Sequence, residues 1–336
     1  MPATLRDLAK KVGKSITTVS RALNNHDDIS LETRALVRQA AQELGYHPSI
    51  TAQRLQKKRS DTIGFVLPAV GPYFSDPFFS MILAGIASQA ARMGVDLLVS
   101  ACEDRFDDLE IYVSHVQTRR VDGFIVVRIA EDDARVEYLS ENHFPVVSFG
   151  RCKTFPDLPF VEVDTEFGMG LVAEYLIRLG HRNFAMILPP AYLSRSSDML
   201  RGAKRKLAEN GLTLDESKLV FGDFTQRTGY QNTQALISAP QPPTAILCGN
   251  DLMALGAMSA IIEAGLMVGK DISVTGFEDI PLAEHSQPPL TTLQQPTFLI
   301  GQRMCELLVR NIRGENNQTE IFYPSLIIRQ SCGPVC

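Results

Sequence analysis

Residues 15–23, S-I-T-T-V-S-R-A-L, set four hydroxyl side chains and one guanidinium on one short stretch. Hydroxyls both donate and accept, and arginine presents a planar fork that matches O6 and N7 of guanine, so the stretch carries the chemistry for reading base edges. It follows a helical pattern that stops at Gly13. A glycine-ended helix followed closely by a second rich in Ser, Thr and Arg is the helix-turn-helix pattern, whose second helix lies in the DNA major groove. Ile16 and Thr17 stand at the end of that helix that meets bases, Arg21 offers the fork, and Lys10, Lys11, Lys14 and Arg34 suit phosphates, which position without specifying. The same residues would also serve a small helical bundle with a solvated basic face.

The elements that must hold these groups can be read from periodicity. T-L-R-D-L-A-K-K-V-G places Leu5, Leu8, Ala9 and Val12 at helical spacing behind Thr4, an N-cap residue. A second helix runs from Ser15 with Ile16, Val19, Ala22 and Leu23 apolar, and a third from Ser30 to Gly45 buries Val37, Ala40, Ala41 and Leu44. Residues 46–61 form a polar, basic connector with Pro48 and a short helix at Ser49–Gln56. From Ile63 onward, short β-rich runs alternate with helical stretches. One set includes I-G-F-V-L, G-F-I-V-V and P-V-V-S-F; the second set, from F-V-E-V, includes F-A-M-I-L, T-A-I-L-C and S-V-T-G-F. Alternation of this kind predicts parallel sheets covered on both faces, with ligand at the strand carboxyl ends. The expected fold is thus an all-α helix-turn-helix head plus α/β: two doubly wound parallel-sheet lobes. The head spans 1–46, the hinge linker 47–60 and the large domain 61–336. Within the latter, the first lobe takes about 61–158 plus 291–320, and the second about 159–290 plus 321–336.

Composition fits a folded chain, with 45% hydrophobic and 21% charged residues. Residues 1–60 are net +6 and the remainder −11, so only the head is suited to a polyanion. Cys102, Cys152, Cys248, Cys305, Cys332 and Cys336 are scattered, which predicts reduced thiols with neither a metal nor a cofactor. The start of the sequence lacks a secretory pattern and no apolar run approaches ~20 residues, so the expected location is cytoplasmic, without a membrane partner.

Two decoys fail on spacing. Gly168-Met169-Gly170-Leu171-Val172-Ala173 matches a dinucleotide-binding turn, but F-A-M-I-L then leads to Pro189-Pro190 where an acidic residue belongs. Gly265–Asp271 has the wrong spacing for a phosphate loop. Without a Ser/His/Asp set, paired carboxylates or a metal cluster, the chain is not expected to be an enzyme.

Several motifs, in order, resemble the lactose/galactose repressor (LacI/GalR-type) family of transcription regulators. They are the head sequence A-T-L-R-D-L-A-K-K-V-G-K-S-I-T-T-V-S-R-A-L-N, then D-P-F-F, R-R-V-D-G-F-I-V-V, C-G-N-D-L-M-A-L-G-A, S-V-T-G-F-E-D-I-P-L-A and P-P-L-T-T-L-Q-Q-P. The resemblance implies a homodimer that binds a pseudo-palindromic operator duplex and lobes of periplasmic-binding-protein type that hold a small effector, a sugar by analogy. It implies DNA contacts by Leu5, Ser15, Ile16, Thr17, Thr18, Ser20, Arg21, Asn24 and Thr33, and by Ala52 and Leu55 of the hinge helix. Leu55 could wedge into the minor groove or pack between two hinge helices. For the effector it implies Asp76 and Phe78; Phe79, which suits either a stacking ring or a core position; Arg128, which suits the cleft or a surface ion pair; and Arg151, Arg195, Phe224, Asn250 and Glu278. Two departures alter the pocket. Met199 stands where many relatives have arginine, leaving Arg195 and Arg201 as displaced candidates, and Gly150-Arg151 replaces an Asp-Arg pair. The sequence ends without a heptad tail, which favours a dimer over a tetramer.

Overall fold

Thr4, Ser15 and Ser30 each start a helix by turning a side-chain oxygen onto a free N–H of the first turn. The helices are α1 (Leu5–Val12), α2 (Ile16–Leu23) and α3 (Leu31–Leu44), with Thr4 and Asp7 forming a reciprocal capping box. Leu8, Ala9, Val19, Ala22, Val37, Ala40 and Ala41 make their shared core. Arg34 and Arg38 of α3 tie down the turn after α2, donating to the His26 carbonyl (2.8 Å) and to Asn25 Oδ1 (2.5 Å). The computed structural model describes residues 3–46, 59–68, 76–102, 108–315 and 319–335. Ala52, Leu55 and the helix expected at Ser49–Gln56 lie outside them. The chain divides into two compact units, Met1–Ser60 and Asp61–Cys336.

The second unit contains two six-stranded sheets. The first comprises β1 (Thr62–Pro68), β2 (Asp96–Cys102), β3 (Gly123–Val126), β4 (Val146–Phe149), β5 (Phe160–Val163) and β11 (Glu320–Phe322), ordered β11-β5-β4-β3-β1-β2 and parallel throughout. The second comprises β6 (Phe184–Leu188), β7 (Leu219–Phe221), β8 (Ala245–Cys248), β9 (Ser273–Glu278), β10 (Thr291–Gln294) and β12 (Ser325–Ile327), ordered β12-β10-β9-β8-β6-β7, with β12 alone antiparallel. Every residue of β3, β6, β8 and β9 is buried, as a parallel strand with helices on both faces requires. Those helices are α4 (Pro77–Met93), α5 (Asp108–Gln117), α6 (Ala134–Glu141), α7 (Thr165–Arg178), α8 (Ser194–Glu209), α9 (Gln226–Ile237), α10 (Asp251–Glu263), α11 (Pro281–His285) and α12 (Thr297–Ile312).

Strand pairing corrects the expected lobe limits. F-V-E-V is β5, which pairs with β4 in the first sheet, so the chain crosses at Asp164 rather than before residue 159. Residues 291–294 are β10 and belong to the second sheet, with the return crossing at Gln295–Pro296. The last crossing lies between β11 and β12, at 323–324. A four-residue apolar run fits either sheet, and only long-range pairing decides which. Gly168 and Gly170 sit inside α7 rather than opening it, which removes the dinucleotide-binding reading.

Candidate functional site

On the head, Leu5, Ile16, Thr17, Ser20, Arg21, Asn24 and His26 line one shallow groove. Helical spacing brings Thr17, Ser20, Arg21 and Asn24 to one face of α2, with Leu5 of α1 beside them. Ile16 is 43% exposed, a large apolar side chain free to meet a thymine methyl. Arg21 pairs with Asp28 at 2.9 Å, both about half exposed, a contact weak enough to give way to a base. Ser15 and Thr18 are bound up with starting α2: Ser15 Oγ accepts from the Thr18 N–H (3.0 Å) and the two hydroxyls lie 2.8 Å apart. Thr33 has the same place in α3 and does not line the groove. Lys11 is paired with Glu43 at 2.6 Å. Arg34, read above as a phosphate contact, has a largely buried side chain that anchors the turn.

The cleft of the second unit is assembled from segments that follow strand carboxyl ends in both lobes. Asp76, Phe78, Arg128, Phe149, Gly150 and Glu162 come from the first, and Ser194, Arg195, Phe224 and Glu278 from the second, with Gln295 at the crossing. At one edge the lobes are joined by backbone: Ser194 N–H donates to the Ile129 carbonyl and Glu131 N–H to the Tyr192 carbonyl, each at 3.1 Å.

The cleft's polar groups are buried and incompletely satisfied. Asp76 caps α4 by accepting from the Phe78 N–H (3.0 Å), and its other oxygen lies 3.4 Å from Arg128. Burial pushes its carboxyl above the usual carboxylate range. The Arg128 guanidinium lies over the rings of Phe79 (4.6 Å) and Phe224 (4.2 Å), a cation–π contact made from both lobes. Arg195 reaches the cleft from the first turn of α8, over the Phe277 ring at 5.5 Å, with Nη1 3.9 Å from Glu278. Burial, with Asp76 nearby, pushes Glu278 well above its ordinary value. Arg195 Nε and Nη2, Glu278 Oε2, Ser194 Oγ and both amide atoms of Gln295 are buried without a hydrogen-bond partner. Buried polar groups are nearly always satisfied, so this convergence marks a place for a ligand. Its mixture of donors and acceptors matches hydroxyl groups, which supply both.

Three of the eight non-glycine residues with positive φ among the described residues stand on the same walls. Arg128 (φ 56°), Phe224 (φ 72°) and Glu278 (φ 113°) lie in the region that side chains other than glycine avoid, at about 1–3 kcal/mol each. Strain of this kind persists where the surrounding structure imposes it, and it collects at functional sites.

Several expectations shift. Phe79, 2% exposed, is the platform beneath Arg128 and not part of the wall. Arg151 is outward, its side chain 57% exposed, and holds Glu162 at 2.5 Å; Glu162 is the one that lines the cleft. Asn250 is fully buried and does not line it. Met199 is in the core, whereas Arg195, one helical turn earlier on the same face, reaches the cleft. Arg201 is on the surface with Glu166 and Asp198. Sequence reasoning missed Gln295, Ser194, Glu162 and Phe149. The Q-Q at the end of P-P-L-T-T-L-Q-Q-P was visible, but nothing local separates Gln295 from Gln294, which pairs outside with Asp279 at 2.9 Å. Among the described residues no group of His, Cys, Asp and Glu could hold a metal ion, and no helix is long and apolar enough to cross a membrane.

Comparison with known proteins places both parts of the chain. Residues 4–49 match the model of bacterial regulatory proteins of the lacI family, and residues 173–332 match a periplasmic binding protein-like domain. The chain is 36% identical over 340 residues to the HTH-type transcriptional regulator AglR of Rhizobium meliloti (strain 1021), covering 99% of this chain and 95% of that protein. It is similar to the lac repressor dimer bound to operator and the anti-inducer ONPF (TM-score 0.86, 30% identity, 98% of this chain and 99% of that one). It also resembles the transcriptional regulator CelR in complex with cellobiose (TM-score 0.76, 30% identity, 98% and 99% covered). Full-length identity, a matched head and a matched fold lead to one conclusion: the chain belongs to the lacI family of bacterial regulatory proteins.

Proposed function

We propose that the chain is a repressor of carbohydrate-utilisation genes whose operator affinity is set by a small saccharide held between the lobes of its second unit. The observation that carries the reading is the set of buried, unsatisfied donors and acceptors on Arg195, Ser194, Glu278 and Gln295, beside the rings of Phe78, Phe149 and Phe224. Rings cover the C–H faces of a sugar, and alternating donors and acceptors take its hydroxyls. Asp76 and Glu278 stand beside the two inward arginines, so oxygen and nitrogen groups alternate along the wall. The complex of CelR with cellobiose supports the saccharide class.

On the DNA side, two copies place two heads on the halves of a pseudo-palindrome, in the cytoplasm where the DNA is. Ile16, Thr17 and Arg21 read bases, with Leu5, Ser20 and Asn24 beside them, while Ser15, Thr18 and Thr33 act at helix starts. The operator-bound lac repressor dimer supports this arrangement. Ala52 and Leu55 of the connector contact the operator centre. The saccharide changes operator affinity only to the extent that it binds the two states of the protein unequally.

The test pairs thermal melting with release of an operator duplex across a panel of mono- and disaccharides. A saccharide that raises the melting temperature and releases the duplex is the expected result, since a ligand of the native state stabilises it. Operator binding itself should weaken steeply with salt. If no saccharide affects either readout, the carbohydrate reading is wrong.

A further inference from the structure

Asn250 sits behind the cleft with both ends of its amide committed. Its Oδ1 accepts from the Met253 N–H (3.0 Å) and so caps α10, while Nδ2 donates to the main-chain carbonyl of Phe224 (3.0 Å). Phe224 is the wall residue whose φ of 72° a phenylalanine does not hold unaided. The residues after it are fixed independently: Asp223 Oδ1 accepts from the Thr225 N–H (3.1 Å) and the Thr228 hydroxyl (2.7 Å), and Thr225 caps α9. Gly229 and Gly256 let α9 and α10 approach so closely that a Cβ on either would overlap the other helix's backbone. The Asn250 donor and the Phe224 carbonyl therefore face each other across a rigid helix pair.

We infer that Asn250 is a positioning residue: it holds the Phe224 backbone in its left-handed conformation, setting that ring as the second-lobe wall of the cleft under Arg128. The inference deepens the proposed effector site and rests on that reading for its consequence in binding. Its structural half stands without any ligand.

The chain has no tryptophan, so Phe224→Trp provides a single emission signal from the cleft wall. Asn250→Asp keeps the Oδ1 cap on Met253 but turns a second oxygen toward the Phe224 carbonyl. Asn250→Ser also keeps a capping oxygen, adds no charge, and serves if the Asp variant fails to fold by far-UV circular dichroism. Either change, combined with Phe224→Trp, should move ligand-free emission to longer wavelength. In the native-ring background it should weaken binding of cellobiose, the probe saccharide, by about ten-fold, the scale of one lost buried hydrogen bond. Once Phe224 is already alanine, Asn250→Ser should bring no further loss. Unchanged emission in a folded variant would overturn the inference, as would a loss of affinity that adds fully to that of Phe224→Ala. An emission shift in a protein that binds no saccharide at all would uphold the positioning role and defeat the effector reading instead.

Discussion

The groove on the head and the cleft between the lobes are built on opposite plans. The groove takes nearly all its residues from α2 and its flanks, and these are exposed, unstrained and held by surface contacts such as Arg21–Asp28. The cleft draws on positions spread from Asp76 to Gln295, with buried charges, unsatisfied amide and guanidinium atoms and strained backbone at Arg128, Phe224 and Glu278. A surface that meets a wet, highly charged duplex can use exposed groups and gains little from strain. A pocket for a small molecule has to bury polar atoms in advance and leave them waiting. The difference predicts that substitutions in the groove change binding alone, whereas apolar replacement of the unsatisfied cleft groups moves stability and binding in opposite directions.

The largest effect is expected behind the cleft. Asp251 is fully buried, accepting from the Ile280 N–H (2.8 Å) and the Thr292 hydroxyl (2.5 Å), and burial raises its pKa to about 7. Its folded-state value lies above the unfolded one, so the folded protein binds the extra proton between about pH 4 and pH 7 and stability falls as pH rises through that window. A neutral amide at this position could donate to Thr292 and accept from Ile280. Asp251→Asn should therefore match the wild type near pH 4 and exceed it at pH 8 by up to about 4 kcal/mol in chemical denaturation. Parallel pH profiles would show that this carboxylate is not strained.

Next in size is Leu8→Ala in the head, which should cost about 3 kcal/mol. In a three-helix unit with so small a core, that is enough to abolish operator binding, while melting of the second unit and its saccharide response should persist. Loss of both at once would show that the two units do not stand apart energetically. Arg21→Ala should weaken operator binding by about 1–3 kcal/mol, the scale of a bidentate guanine contact. Its stability should move by no more than about 0.5 kcal/mol, because the Asp28 pair is a surface one. A larger stability change would break the contrast between the two regions.

The contrast also governs what the sequence could reveal. Thr4, Ser15, Ser30, Gly13 and Gly45 start and stop helices through bonds to residues three or four away, so the head's three helices were legible, whereas the anchoring role of Arg34 was not. Alternation of strand and helix likewise pointed to two parallel sheets. It did not assign β5 and β10 to their lobes, because four apolar residues carry no mark of the neighbour they will pair with. Asp76, Phe78, Arg128, Arg195, Phe224 and Glu278, all named from the sequence, line the cleft. Asn250 and Phe79, also named, turn inward, and Gln295 lies at a crossing whose place depends on both lobes. Orientation at such positions is settled by packing across the lobes, which no local pattern encodes.

Gln295 offers the most direct test. Its amide is buried with neither atom satisfied, so an apolar side chain of similar size removes an unpaired polar group from the ligand-free protein and a recognition group from the complex. Calorimetric titration of the saccharide selected by the melting panel into wild type and Gln295→Leu, with the unfolding midpoint of each measured alone, reads both consequences. An equal or higher midpoint for the variant and binding at least about ten-fold weaker are expected. A destabilised variant that binds the saccharide as tightly as the wild type would contradict Gln295 as a recognition group.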